Sequence, residues 1–161
     1  MKRSLLILSL VVLIGCKSKT AVITHEEAIP SKAEILKLPF SEVSEIQKNK
    51  AYELGKRVLI TCNTSKFKPF NESEAIPTVI KNTTLEKLTK ICTRYRQHYG
   101  TFKDIELVEI YKNHTDNTTI FRYKALYTKK VANKELRLFM NEDGKVSAIK
   151  SMDWANTFQL K

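Results

Sequence analysis

The chain has 161 residues, of which 28% are charged and 42% hydrophobic, and its formal net charge is +11. This length suits one domain with its own hydrophobic core, and only four glycines leave little room for a glycine-rich phosphate loop. Because the lysines are scattered along the chain, the positive charge is typical of a solvated surface, and we expect no nucleic-acid partner.

The N-terminus has the parts of a cleavable export signal. Lys2 and Arg3 precede an apolar run from Leu5 to Ile14, which is about half the length that a membrane-spanning helix needs. The run ends in Leu13-Ile14-Gly15-Cys16, which resembles the lipobox of bacterial lipoproteins. In that family a peptidase cuts just before the cysteine, and the cysteine thiol carries a diacylglycerol.

This resemblance implies that residues 1–15 are a lipoprotein signal peptide and that Cys16 is the lipidation site. Acyl chains such as palmitate would then hold the protein on a lipid bilayer. The alternative is an ordinary secretory signal, with Cys16 an incidental free thiol. A lipoprotein is expected in the cell envelope. Because Lys17 rather than Asp follows the cysteine, the family pattern implies the outer membrane, facing the periplasm, in a Gram-negative host.

Residues 16–43 are predicted to form the lipidated cysteine, a flexible tether and a short helix. Ser31 and Glu34 have the spacing of a capping box, which favours a short helix that ends at Pro39. The folded domain is predicted to span residues 44–161.

The first long helix is predicted over residues 44–63, where apolar residues recur at helical spacing. Ser44 and Gln47 form a second capping-box match at its start. Gly55 lies inside this helix, where glycine is unfavourable, so we expect it to mark a close contact between helix and sheet. Residues 64–82 are predicted to be a loop that accommodates one helical turn.

A second long helix is predicted to begin at a capping box formed by Thr83 and Glu86. Gly100 is well placed as its C-terminal stop. The residues predicted to line one face of this helix are Leu85, Leu88, Ile91, Cys92, Tyr95 and Tyr99.

After Gly100 the hydrophobic period changes to two, which predicts strands over residues 104–112, 119–129, 134–141 and 145–154. Glu142-Asp143-Gly144 is a strong hairpin signal between the last two strands. Apolar residues on the two middle strands alternate with charged ones, namely Arg122, Lys124, Glu135 and Arg137. The predicted fold is therefore α+β, with N-terminal helices packed on a curved four-stranded antiparallel meander.

Two segments carry a resemblance to a known superfamily: Tyr99-Gly100-Thr101-Phe102-Lys103 at the junction of helix and sheet, and the hairpin from Asn141 to Ile149. Over residues 44–154 the chain resembles the cystatin-like cone of the nuclear-transport-factor-two-like superfamily, especially its small bacterial domains of unknown function. The resemblance implies a curved sheet wrapped around the helices, with a cavity at the wide end. Enzymatic members use this cavity for isomerase or dehydratase chemistry, whereas others only bind ligands or partners.

Cys62 and Cys92 are the two cysteines that remain if Cys16 is lipidated. In an exported protein they form a candidate disulfide, and the alternative is two buried thiols that pack as small apolar groups. Neither cysteine belongs to a C-x-x-C pair, which disfavours a redox centre or a zinc knuckle.

The cavity implied by the resemblance has six candidate lining residues: Tyr95, Tyr99, Asp104, Glu106, Tyr123 and Tyr127. An acid with a neighbouring tyrosine would be needed for isomerase-like chemistry. However, charged residues at strand starts are usually solvated and tyrosines on an alternating face are usually core. We therefore assign no catalytic residue and expect no cofactor. We also expect no metal site, because the spacing of His25, His98 and His114 does not suit metal ligands.

Together these patterns favour a membrane-anchored lipoprotein whose domain is a non-enzymatic binding or accessory module of the bacterial cell envelope. Its expected partners are the bilayer, through acylated Cys16, and a small ligand or an envelope protein. One alternative is a small-molecule enzyme of the isomerase or dehydratase type that uses the cone cavity. Another is an envelope inhibitor or structural module.

Overall fold

A computed structural model of the protein describes residues 35–129 and 134–160. Its helices are α1 (Glu45–Thr64), α2 (Pro77–Asn82) and α3 (Leu85–Tyr99), and a 3-10 turn spans Phe40–Glu42. Its strands are β1 (Ile35–Leu38), β2 (Phe102–Asn113), β3 (Thr118–Tyr127), β4 (Lys134–Met140) and β5 (Val146–Asp153). The α+β class is confirmed. The predicted signal peptide, Cys16 and His25 lie outside the described residues.

The described strands form one antiparallel sheet in the order β1-β2-β3-β4-β5, so each strand pairs with its neighbours in sequence. The three helices pack on one face of this sheet, which we call the inner face. The other, outer face carries a smaller apolar cluster of Tyr111, Ile120 and Phe139. Within residues 35–129 and 134–160, no helix is long and apolar enough to cross a bilayer.

The helix predicted to end at Pro39 is wrong for residues 35–38, which form strand β1, and the four predicted strands become five. Ile35 pairs with Asn113 and Leu38 pairs with Ile110, so β1 extends the sheet beyond β2. A capping-box match is a local signal, and hydrogen bonding to the edge of β2 overrides it. The sequence near Ile35 contains no pattern that predicts pairing with a strand more than 70 residues later in the chain.

Helix α1 has the predicted cap, because the Ser44 hydroxyl accepts a hydrogen bond from the backbone N–H of Gln47 at 3.2 Å. Gly55 marks a close helix–sheet contact, as predicted. A Cβ atom at this position would lie 2.9 Å from Cδ2 of Leu136 and 3.3 Å from Cδ1 of Ile105. The glycine therefore lets the helix approach β2 and β4 more closely than any other residue would.

Helix α3 begins one residue later than predicted, with Thr84 as its cap. Thr83 ends α2, where its backbone N–H donates to the carbonyl of Val79, and the Thr84 hydroxyl accepts from the N–H of Lys87. Gly100 terminates α3 at a φ of 80°, as predicted. The predicted apolar face is only partly covered, since Leu85 and Ile91 are exposed at its margin.

The turn between β4 and β5 follows its sequence signal. The turn before Lys145 contains Gly144 at a φ of 68°, and the N–H of Gly144 donates to the carbonyl of Asn141. The turn between β2 and β3 contains Asn117 at a φ of 56°. Asparagine and glycine tolerate this left-handed conformation better than other residues, so both turns are locally encoded.

Candidate functional site

Two of the tyrosines proposed for the cavity lie in the core beneath the helices. Tyr123 is fully buried, and burial raises the pKa of its phenol. Its hydroxyl has no hydrogen-bond partner in the described part of the chain. Tyr127 packs its ring at 5.5 Å from that of Tyr99 and at 5.6 Å from that of Phe102. These two side chains fill the space between helices and sheet.

Asp104 belongs to a polar cluster at the start of β2, next to α1. Its carboxylate accepts a hydrogen bond from the Tyr52 hydroxyl at 2.8 Å and lies 3.2 Å from Nζ of Lys56. Burial favours a higher pKa for Asp104, but hydrogen bonds from Tyr52 and from the N–H of Ile105 outweigh it, so the pKa is lowered. The carboxylate is therefore held ionised by its neighbours.

Glu106 lies further along β2 and is exposed. Tyr52 and Lys56, by contrast, are members of the Asp104 cluster that sequence reasoning missed. Nζ of Lys56 donates to the Tyr52 hydroxyl at 2.7 Å. Tyr52 and Lys56 are four residues apart in the sequence, and on a helix this spacing places them on a common face.

Tyr95 and Tyr99 connect α3 to strand β5. The Tyr95 hydroxyl lies 3.2 Å from Oγ of Ser151, and the Tyr99 hydroxyl donates to Asp153 at 3.3 Å. Lys134 joins the same group, because its Nζ lies 2.9 Å from Oδ1 of Asp153. That ammonium also lies 5.0 and 5.4 Å from the ring centroids of Tyr99 and Tyr95, within the range of cation–π attraction.

An apolar cleft with a volume of about 290 Å³ opens beside this group, between α3 and the inner face of the sheet. Its apolar lining comprises Val58, Leu59, Leu88, Ile91, Leu136 and Ile149, and its polar lining comprises Asn82, Thr83, Tyr95 and Ser151. A neighbouring depression of about 300 Å³ shares Asn82, Thr83 and Ile149 with it and continues the cleft toward α2. The cleft therefore follows strand β5, with an apolar floor and polar margins.

A disulfide bond joins two of the helices that line the cleft. Cys62 of α1 and Cys92 of α3 form a disulfide, with Cα atoms 4.9 Å apart. Leu59 and Leu88, which precede these cysteines by one turn on their helices, both line the cleft. The bond therefore fixes the separation of the two helices where they form its floor.

A second concentration of polar groups lies on the outer face of the sheet. Arg122, Glu135 and Arg137 have side chains at most 2% exposed, in adjacent strands. Arg122 contacts Glu135 at 2.7 Å and Glu109 at 2.5 Å, and Arg137 donates through Nε to Glu135. We call these four residues the outer-face ion cluster; it contains two positive and two negative groups.

The pKa of Glu109 shows that the cluster stabilises the ionised form of this carboxyl group. Burial favours a higher pKa, but hydrogen bonds from Lys37 and Arg122 outweigh it and lower the pKa to about 2. Lys37 of β1 lies 2.8 Å from the same carboxylate. The strand that the sequence did not predict therefore places a further cation beside the cluster.

Among residues 35–129 and 134–160, no group of three or more His, Cys, Asp or Glu side chains is placed to hold a metal ion. The acids of the Asp104 cluster, of the Lys134 group and of the outer-face ion cluster are instead paired with cations. Comparison with protein-family models, curated proteins and solved structures gave no match.

Proposed function

We propose that the protein is a lipid-anchored binding or accessory domain of the bacterial cell envelope, which takes a small, largely apolar ligand in the cleft between α3 and β5. The observation that carries this proposal is the cleft itself, with a volume of about 290 Å³ and a mainly apolar lining. Ligand sites are typically concave and apolar, with a few polar groups that orient the ligand. Tyr95 and Ser151 supply such groups at one margin.

The proposed anchor is the acylated thiol of Cys16, within the lipobox-like Leu13-Ile14-Gly15-Cys16. Two or three acyl chains make membrane attachment durable, since each buried methylene contributes about 0.8 kcal/mol. The proposal includes the outer membrane, facing the periplasm, as the location in a Gram-negative host. Lys17 after the cysteine supports this location.

The finer fold assignment, a cystatin-like cone, is also part of the proposal. It is supported by the order of the elements, with helices before an antiparallel meander. The Tyr99–Phe102 junction, where α3 ends and β2 begins, supports it as well. In such a cone the ligand cavity lies between helices and sheet, which is the side on which the cleft opens.

The acidic residues near the cleft favour a binding function over a catalytic one. Asp153 is 83% exposed and paired with Lys134, an arrangement that does not raise the pKa of a carboxyl toward that of a general base. Asp104 lies in a separate cluster with Tyr52 and Lys56 and does not line the cleft. Core side chains such as Tyr123 fill the space between the helices and the inner face of the sheet.

Ligand binding is tested with N-phenyl-1-naphthylamine, an uncharged probe that brightens in apolar sites and that the basic surface does not attract. We expect Ile91→Arg to weaken probe binding at least tenfold, because a longer, charged side chain at this exposed margin would narrow the opening of the cleft and make it polar. The matched control is Ile46→Arg, at an isoleucine that is 82% exposed on α1. Equal probe binding by the two variants would show that the cleft is not the ligand site.

The anchor is tested separately in bacterial cells that are fed an alkyne-tagged palmitate. Wild-type protein is expected to carry the tag and to sediment with membranes, whereas Cys16→Ser carries none. A variant with Cys62→Ser and Cys92→Ser controls for loss of thiols and retains the tag. Labelling of the Cys16→Ser variant would show that the lipid is attached elsewhere, and the anchor assignment would be withdrawn.

A further inference from the structure

The outer-face ion cluster is buried by the last residues of the chain. Residues 154–160, which we call the C-terminal strap, follow β5 without regular secondary structure and lie across the outer face. The guanidinium of Arg122 donates to the carbonyl of Ala155, and Nη1 of Arg137 donates to the carbonyl of Gln159 at 2.5 Å. Two buried arginines therefore each bind one backbone carbonyl of the strap.

Two aromatic rings provide the remaining contacts of the strap. The Trp154 ring centroid lies 4.2 Å from the guanidinium carbon of Arg122. The Phe158 ring lies 4.4 Å from that of Arg137 and stacks on Tyr111 with centroids 3.9 Å apart. Stacking of an aromatic ring on guanidinium combines cation–π attraction with burial of apolar area.

The other strap side chains contribute little to this contact. Trp154 and Phe158 are half-buried, whereas the five remaining strap residues are exposed: Ala155, Asn156, Thr157, Gln159 and Leu160. The outer face therefore recognises two features of the strap, namely two aromatic rings four residues apart and the backbone carbonyls near them. A peptide with that aromatic spacing that bends between the two rings, as the strap does at Asn156 and Thr157, presents the same features.

We propose that the outer face of the sheet is a peptide-binding site, that its ligand is a short segment of a partner protein with two aromatic side chains four residues apart, and that the C-terminal strap occupies this site in cis. The site lies on the face opposite the helices and is independent of the ligand proposed for the cleft. Arg122 and Arg137 bind the peptide carbonyls, and Tyr111 provides a stacking surface for the second ring.

The ion cluster permits the strap to be replaced by a peptide of the partner protein. Arg122 and Arg137 keep Glu109 and Glu135 as partners when the strap leaves, so opening the site leaves no charge unpaired. Within the described part of the chain, Nε of Arg122 is buried and has no hydrogen-bond partner. A peptide that carries an acceptor at this point would form a bond that the strap does not form, which favours displacement.

Displacement can be measured on the wild-type chain, because Trp154 is its single tryptophan. The probe is a synthetic peptide of residues 153–160 in which phenylalanine replaces the tryptophan, so that only the protein fluoresces. We expect a saturable shift of Trp154 emission to longer wavelength as the strap is released into water. A control peptide with alanine at both aromatic positions is expected to give no shift. A shift with both peptides, or with neither, would overturn the proposal.

A second variant measures competition by the strap. In the full chain, Trp154→Ala with Phe158→Ala removes both rings and leaves the sheet intact. We expect this variant to bind a dye-labelled peptide of residues 153–160 at least tenfold more tightly than wild type, because the cis competitor is weakened. Affinity equal to that of wild type would contradict cis occupation. Ile91→Arg, altered in the cleft, should bind the peptide as wild type does, which separates this site from the proposed function.

Discussion

The rings of Tyr111 and Phe158 are stacked, with centroids 3.9 Å apart and planes inclined by 17°. Tyr111 lies in β2, and Phe158 lies beyond the last strand, so this pair fastens the end of the chain to the second strand of the sheet. The same phenylalanine ring packs against Arg137. One aromatic side chain therefore covers both an apolar cluster and a buried charge.

Replacement of Phe158 by alanine should loosen the strap while the rest of the domain remains folded. Loss of the stacking contact and of its buried area is expected to lower the free energy of unfolding by about 1–2 kcal/mol. The emission of Trp154 should shift to longer wavelength while amide hydrogen exchange in β3 stays slow. Phe40→Ala, at a phenylalanine that is 47% exposed, is the control and should change stability by less than about 0.5 kcal/mol.

Replacement of Glu135 by leucine should be among the most damaging single changes in the outer face. Its side chain is fully buried and contacts both Arg122 and Arg137, so the variant leaves two buried cations with too few anions. Removing one partner from a buried ion pair typically costs about 3–5 kcal/mol. Urea denaturation measures this loss. A loss below about 1 kcal/mol would mean that water reaches the arginines.

Acid should destabilise the domain through Glu109. Its pKa is lowered from 4.5 to about 2 in the folded protein, so the unfolded chain binds the proton more readily. The stability that this group contributes is therefore present above pH 4.5 and is lost as the pH falls toward about 2. Thermal unfolding between these pH values should show a shallower pH dependence for Glu109→Gln than for wild type.

Tyr123→Phe is expected to stabilise the protein. The Tyr123 hydroxyl is buried, and within the described residues it has no hydrogen-bond partner. Removing such a group relieves its desolvation cost, which is about 1–3 kcal/mol, while the ring keeps its packing in the core. Differential scanning calorimetry should show a higher Tm. A lower Tm would indicate that the hydroxyl binds a partner, such as water or a ligand.

Reduction of the Cys62–Cys92 disulfide should weaken the fold and widen the cleft. The bond joins residues 30 apart in sequence, for which the chain-entropy model gives roughly 3–4 kcal/mol. Urea denaturation with and without reductant measures this difference. Cys62→Ser with Cys92→Ser should unfold at the denaturant concentration of the reduced wild type and should not respond to reductant.

Much of the inner face could be predicted from the sequence because its signals are local. Ser44 begins α1, Gly100 ends α3, and the turn at Gly144 joins β4 and β5. Each depends on the conformational preference of one or two residues and on hydrogen bonds within the same turn. The period of two after Gly100 predicted the four later strands because successive side chains of a strand point to opposite faces of the sheet.

The cleft was only partly predictable. Tyr95 lines it, but the sequence did not show that Tyr123 would be covered and Asp104 would lie elsewhere. Periodicity assigns a side chain to a face of an element. How far that face is covered depends on the distance between elements, which close approach at Gly55 and the disulfide decide here.

The outer face was decided by the tertiary structure alone. By the sequence, Arg122, Glu135 and Arg137 are charged positions that alternate with apolar ones on the two middle strands. They become buried because the register aligns β2, β3 and β4, and because the strap from the end of the chain covers them. Sequence patterns encode contacts between neighbours along the chain. The burial of these charges depends on segments brought together from different parts of it.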